Sequence, residues 1–435
     1  MDTFHIEGGR RLEGTIRVNG SKNAALPLMA AALLTDGPVV LRDVPDLADI
    51  QSMKKLLDEL GCEVVAGEPG ADPGTLTLKV NDLSASHARY DIVRTMRASI
   101  CVLGPMLAKR GRARVSMPGG CAIGERPVDL HLRGLKALGA EIELDGGDII
   151  ATAPRGRLRG DTVFLGGPFG STVLGTANVM SAAVLAEGTT IIESAACEPE
   201  IVDLADLLNA MGARISGAGT PRIVIQGVQN LGGADHIVMP DRIEAGTFMC
   251  AAAITNGSLV IENTPFDAML AVIDRLDELG VCVECLGARD AQRVSCRVTT
   301  GRVLRPIRVT TQPHPGFPTD LQAQLMALLS LADGNSIVTE KVFPERFLHV
   351  AELSRMGAEL HRQGATVVVT GVRELRGAPV MASDLRASAS LVLAGLAARG
   401  STVVNRVYHL DRGYEKLEQR LNALGASIRR LSDPV

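Results

Sequence analysis

One cysteine of this chain lies in the run Pro118-Gly119-Gly120-Cys121-Ala122-Ile123-Gly124-Glu125-Arg126-Pro127-Val128-Asp129. Three glycines and two prolines predict a loop whose backbone can take positive φ and come close to a ligand. Arg126, five residues on, would stabilise a thiolate, and a thiol so placed serves as an acid or a nucleophile. On these residues alone the alternative is a surface turn with an incidental cysteine. A second chemically suggestive stretch, Asn19-Gly20-Ser21-Lys22-Asn23, leads straight into an apolar run from Ala24 to Leu34. Ser21 or Asn23 can cap the helix this predicts, and Pro27 is tolerable near the first turn. A lysine beside the N–H groups of a helix start makes a site for phosphate or carboxylate. It is not a P-loop, since Gly-x-x-x-x-Gly-Lys is absent, and alone it also reads as a surface charge.

Arg97, Arg346, Arg386 and Arg412 sit in contexts marked by glycine, serine or aspartate. Singly, each reads as half of a structural ion pair. Together they could line an electropositive cleft for a polyanionic substrate, in a chain of net charge −4. Cys282-Val283-Glu284-Cys285 has redox or metal spacing, but it reads as a strand following a helix, and thiols three apart on a strand diverge. No second Cys or His pair lies nearby at zinc spacing, so these are expected to be structural cysteines. Arg155-Gly156-Arg157-Leu158-Arg159 lacks interleaved aromatics and is expected to be a solvated loop.

The elements that must position these groups follow from composition and periodicity. At 435 residues, 46% hydrophobic and 22% charged, the chain is an ordinary globular protein of two or three domains. It has 3% aromatics and no Trp, so the core is built from Ala, Val, Leu and Ile. The charge gives no reason to expect nucleic acid or an acidic membrane as partner. No segment approaches the length of a membrane span, and the N-terminus shows no signal peptide. Eight scattered cysteines form no disulfide framework and fit a reducing cytoplasm.

A phrase of helix end, Leu or Met, Gly and strand occurs six times, centred on Gly61, Gly139, Gly212, Gly280, Gly357 and Gly425. An Ala/Leu-rich helix closed by glycine and followed by a β-branched strand precedes each, as at Ala183–Ile192 and Ala251–Ile261. Each unit of about 70 residues reads strand, helix, strand, helix, strand, too long for a solenoid repeat. Six units predict two globular halves of three units each.

Motifs along the chain resemble those of the UDP-N-acetylglucosamine 1-carboxyvinyltransferases, within the enolpyruvyl transferase family. They are Gly20-Ser21-Lys22-Asn23-Ala24-Ala25, the Cys121 loop, Glu198-Pro199-Glu200-Ile201-Val202-Asp203 and Pro240-Asp241-Arg242-Ile243-Glu244. Gly316-Phe317-Pro318-Thr319-Asp320-Leu321-Gln322, Asp384-Leu385-Arg386-Ala387-Ser388-Ala389 and His409-Leu410-Asp411-Arg412-Gly413-Tyr414 complete the set. The likeness runs from Ile6 to Ala426. It implies an α/β fold of two inside-out α/β-barrel domains, each of three repeated units. One domain, 22–239, would carry the Cys121 lid loop; the second would join 1–21 to 240–435, with the active site in the cleft between them.

The implied reaction moves the enolpyruvyl group of phosphoenolpyruvate onto the 3-hydroxyl of UDP-GlcNAc by addition and elimination. It is the first committed step of peptidoglycan synthesis. By resemblance, Cys121 is the acid that protonates C3 and Asp320 the base at the sugar hydroxyl. Lys22, Asn23, Arg126 and Arg412 match phosphoenolpyruvate ligands, with Arg386 near the carboxylate. Asn23, Arg97, Arg126, Pro127, Val128, Asp129, Leu130, Thr172, Val173, Asp320 and Val342 match sugar-nucleotide contacts. No cofactor or metal is implied, since the Lys/Arg cluster supplies the charge. The expected partners are the two small-molecule substrates alone.

One stretch departs from the family pattern. Where many relatives carry Ser-Val-Gly-Ala-Thr, sometimes after a lysine, this chain has Gly167-Pro168-Phe169-Gly170-Ser171-Thr172-Val173. Gly170 falls at the lysine position, leaving a backbone N–H and the Thr172 hydroxyl for a phosphate. Glu125, where a small residue is common, is expected to face solvent. Two alternatives are an enzyme like 5-enolpyruvylshikimate-3-phosphate synthase and a non-catalytic UDP-sugar-binding paralogue. The Cys121 loop argues against the first. The presence together of Lys22, Cys121, Asp320 and Arg412 argues against the second.

Overall fold

The computed structural model describes residues 2–67, 72–118, 128–301 and 303–432. The chain separates into two compact units: one runs from Gly20 to Met239, and the other joins the residues up to Asn19 to those from Pro240 onward. All six periodic glycines have positive φ, from 74° at Gly61 to 105° at Gly212. That conformation strains residues with a Cβ, so the repeated glycine is a backbone requirement of the helix-to-strand turn. The helices it closes are amphipathic: Ala48–Glu59, Asp129–Ala137, Pro199–Ala210, Leu270–Leu279, Leu348–Arg355 and Leu417–Ala423.

The second kind of helix is apolar nearly all round, as a helix enclosed by protein must be. Lys22–Ala31, Leu103–Arg110 and Val173–Ala183 lie inside one unit. Arg242–Ile254, Gln322–Leu329 and Leu385–Ala397 lie inside the other, where every residue from Ile243 to Ile254 is buried. Small residues permit the close approach: a Cβ at Gly104 would fall 2.2 Å from the Asn178 carbonyl oxygen. With sheets outside and helices inside, each unit is an inside-out α/β barrel.

Among the described residues each unit has three four-stranded sheets with one shared pattern of strand pairing. In one, Thr162–Phe164 pairs in parallel with Thr189–Glu193, which pairs antiparallel with Arg222–Gln226, which pairs antiparallel with Arg214–Ser216. The repeat is therefore strand, helix, strand, helix, strand, strand, one strand more than the sequence pattern suggested. The extra strand, Leu76–Val80 in the first repeat, folds back on the strand after the glycine. The chain passes twice between the units. Glu13–Arg17 pairs with Ser258–Thr264 in one unit, and Ala234–Ile237 pairs with Val39–Arg42 in the other. After each of these strands comes a capped buried helix, Lys22–Ala31 or Arg242–Ile254.

Two local expectations change. Arg157 is not simply solvated: Nε donates to the Leu185 carbonyl and Nη2 to that of Val228, each at 2.6 Å. Pro27 is the sixth residue of its helix, beyond the first turn, and it has no N–H to return to the carbonyl of Asn23. Cys282 is exposed, whereas Cys285 pairs in register with the buried Cys296, so the two thiols do diverge. No helix among the described residues is long and apolar enough to cross a membrane.

Candidate functional site

In the Gly20–Met239 unit, Ser21 rather than Asn23 caps the first helix, its Oγ accepting the Ala24 N–H at 3.3 Å. Lys22 follows at once and is 8% exposed. Its Nζ donates to Asp49 Oδ2 at 3.0 Å, and Asp49 is itself 4% exposed in the first turn of Ala48–Glu59. A buried cation of this kind is stabilised by a paired carboxylate, and Asp49 supplies one. Nothing in the spacing of residues 22 and 49 marked that pairing. Arg97 opens the 3-10 segment Arg97–Val102, which packs against the Lys22 helix. Cys121, Arg126, Pro127 and Glu125 lie outside the described residues.

Val128 is buried, and Asp129 and Leu130 open the helix Asp129–Ala137. Leu130 abuts Gly167, where a Cβ would sit 3.1 Å from Leu130 Cδ1. Gly167 and Gly170 exchange N–H···O bonds of 2.8 and 3.1 Å, closing a turn with Phe169 exposed at its tip. This corrects one expectation: the Gly170 N–H is spent on the Gly167 carbonyl and is not available to a phosphate. Thr172 caps Val173–Ala183, its Oγ1 accepting the Gly175 N–H at 3.2 Å, which leaves its hydroxyl hydrogen to donate. Leu130, Thr172 and Val173 thus gather around one turn. Asp203, from the Glu198–Asp203 motif, accepts from the Met239 N–H at 3.2 Å and bonds His236 at 2.8 Å, steadying the strand before the second crossover.

The other unit assembles its charges around Asp320. Oδ1 accepts from Arg346 Nη1 at 2.7 Å and Oδ2 from Arg386 Nη2 at 3.3 Å. Arg386 sits in the first turn of Leu385–Ala397, whose cap Asp384 accepts its N–H at 2.9 Å and that of Ala387 at 3.1 Å. Only 2% exposed, Arg386 lies 5.4 Å from the Tyr414 ring centroid. Burial works against its charge, but Tyr414, Asp320 and Asp241 outweigh it and raise its pKa further. Its Nη1 is buried without a hydrogen-bond partner among the described residues. A buried guanidinium edge lacking an acceptor favours a carboxylate or phosphate oxygen.

Tyr414 is held by Gln324 Nε2 at 3.1 Å and Thr247 Oγ1 at 2.9 Å. Burial, opposed by Arg386, pushes its phenol up and so favours the protonated form. Arg412 ends the segment Val407–Arg412. The adjoining Asp411 is tied to Arg430, which also holds Asp2 at 2.9 Å. Val342 is half-buried, and its N–H donates to Glu340 Oε1 at 2.8 Å. The structure therefore joins Asp320 to Arg386 directly, while Lys22, Asn23 and Arg97 belong to the other unit.

His349 gives this unit a pH dependence. It is 1% exposed, and burial pushes its pKa down to about 4. The unfolded chain takes up this proton as pH falls below about 6.5, while the folded chain resists until about 4. Stability from this group is thus present above the unfolded value and lost on acidification, by roughly 3 kcal/mol. His349→Leu should flatten the fall in urea-unfolding free energy between pH 7 and pH 4 by about that amount.

Residues 6–421 match the family described as EPSP synthase (3-phosphoshikimate 1-carboxyvinyltransferase). The chain is 55% identical over 432 residues to the UDP-N-acetylglucosamine 1-carboxyvinyltransferase of Anaeromyxobacter sp. (strain Fw109-5), covering 99% of both. It is 52% identical over 433 residues to UDP-N-acetylglucosamine 1-carboxyvinyltransferase 2 of Carboxydothermus hydrogenoformans, covering 100% of both. Among solved structures, the enolpyruvyl transferase NikO from Streptomyces tendae has a TM-score of 0.87 at 27% identity, over 100% of this chain and 99% of that one. EPSP synthase from Acinetobacter baumannii has a TM-score of 0.75 at 19% identity, over 99% of this chain and 100% of that one, a likeness of fold alone.

Proposed function

Because the chain belongs to the EPSP synthase (3-phosphoshikimate 1-carboxyvinyltransferase) family of enolpyruvyl transferases, we propose that it transfers the enolpyruvyl group of phosphoenolpyruvate to the 3-hydroxyl of UDP-GlcNAc. Phosphate is released, and the product is committed to peptidoglycan. Full-length relatives at 50–55% identity bear the name of that activity, whereas the family model spans both kinds of enzyme and the solved shikimate enzyme is only 19% identical. The observation that carries the site is the Asp320–Arg386 pair: a carboxylate about a quarter exposed beside a guanidinium with one buried edge unsatisfied. It offers a proton acceptor and a carboxylate clamp within one cluster.

In this reading, Asp320 takes the proton of the sugar 3-hydroxyl as its oxygen bonds to C2 of phosphoenolpyruvate. Cys121 gives C3 a proton, turning the vinyl carbon into a methyl group. The tetrahedral adduct then breaks its C2–O bond to phosphate while C3 returns a proton, restoring the double bond. Lys22, Asn23, Arg126 and Arg412 hold the departing phosphate, and Arg386 holds the carboxylate. Asn23, Arg97, Val128, Asp129, Leu130, Thr172, Val173 and Val342 hold the sugar nucleotide, with Arg126 and Pro127. The step is redox-neutral and draws its positive charge from side chains. Its setting is the cytoplasm, consistent with free thiols at every described cysteine.

Addition and elimination leave an isotopic trace. In D2O, C3 must gain a solvent deuteron before losing a proton, so the product and recovered phosphoenolpyruvate should carry deuterium at C3. Product formed without deuterium would overturn the mechanism.

A further inference from the structure

Glu340 is 0% exposed, and among the described residues no cation is a hydrogen-bond partner of its side chain. Four donors converge on it instead. Oε1 accepts from Thr311 Oγ1 at 2.6 Å, the Val342 N–H at 2.8 Å and the Phe343 N–H at 3.0 Å. Oε2 accepts from Thr319 Oγ1 at 2.9 Å. A buried carboxylate is costly unless its oxygens are satisfied, and here they are satisfied by two backbone amides and two hydroxyls.

The direction of these bonds matters. Having given its only hydrogen to Glu340, Thr319 Oγ1 can only accept, and it accepts from Arg346 Nη1 at 3.1 Å. The same Nη1 donates to Asp320 Oδ1 at 2.7 Å. Arg346 is 6% exposed, with Phe343 beneath its guanidinium at 5.8 Å, so it has little freedom to find another arrangement. A continuous path thus runs from the Val342–Phe343 backbone through Glu340, Thr319 and Arg346 to Asp320.

We propose that Glu340 is a positioning residue that couples the sugar-nucleotide contact at Val342 to the orientation of the Asp320 carboxylate. This rests on the reading of Asp320 as the base and Val342 as a nucleotide contact. Glu340 touches neither substrate. It sets the rotor of Thr319, and Thr319 sets Arg346. A ligand that presses on the Val342–Phe343 turn is felt at Asp320 through buried, directional bonds.

Three substitutions test the path. Glu340→Gln can still satisfy the two amides through its carbonyl, but its NH2 would face Thr319 and compete with Arg346 for the same oxygen. Thr319→Val removes the relay oxygen, and Thr319→Ser keeps it. Glu340→Gln and Thr319→Val should lower kcat by about 10- to 100-fold, move the acid limb of the kcat–pH profile, and leave the KM for phosphoenolpyruvate within about twofold. Thr319→Ser should recover kcat to within about threefold of the parent. Thermal midpoints identify variants whose rate falls through loss of folded protein.

The proposal is overturned if Glu340→Gln and Thr319→Val keep the parent kcat and pH profile while Asp320→Asn is inactive. It is overturned equally if Thr319→Ser falls as low as Thr319→Val. Full activity in Asp320→Asn would show instead that the reading of the base had failed, and the relay with it.

Discussion

Asp320→Asn is expected to lower kcat by about three orders of magnitude, the middle of the range for loss of a general base. Asparagine keeps the shape of the side chain but replaces one acceptor oxygen with a donor NH2. Asp320 spends Oδ1 on Arg346 and Oδ2 on Arg386, so either flip of the amide sets an N–H against a guanidinium N–H. The variant loses the proton acceptor and also disturbs two arginines that are 6% and 2% exposed. Steady-state kinetics with both substrates separates the effects. A base lowers kcat at saturation, whereas a mere binding contact raises the KM for UDP-GlcNAc and leaves kcat near the parent value. The second pattern would remove Asp320 from the chemistry.

Cys121→Ala is expected to abolish turnover while UDP-GlcNAc binds within about threefold of the parent affinity, since only the proton donor to C3 is lost. More than a few per cent of residual rate would refute the acid role. Alkylation is a poorer test. Burial pushes the thiols of Cys62 and Cys296 up to about 11 and those of Cys101 and Cys250 up to about 12, which protects them. Cys282 is exposed and would react alongside Cys121. The substitution isolates one sulfur; the reagent does not.

The repeat was legible because a positive φ at a helix end leaves glycine in the sequence at a fixed interval. Gly139 and Gly357 meet no obstacle around their missing Cβ, so backbone conformation alone selects them. The exchanged strands were not legible. Glu13–Arg17 and Ala234–Ile237 are short edge strands, and nothing local states which sheet will take them. Lys22, Arg386 and Asp320 stood out by residue type and motif, but their partners did not. Asp49 and Glu340 are acids in ordinary helical or strand-end text, and their roles arise from burial among donors supplied by distant segments. Gly170 shows the limit of reading function position by position. Its N–H is committed to a turn that only the fold closes.

The most direct measurement is phosphate release from phosphoenolpyruvate with UDP-GlcNAc in one tube and shikimate 3-phosphate in another. Release with UDP-GlcNAc alone is the expected result. Release with shikimate 3-phosphate alone would keep the fold and contradict the substrate. Silence in both tubes, with UDP-GlcNAc still bound, would contradict catalysis and leave a sugar-nucleotide-binding protein.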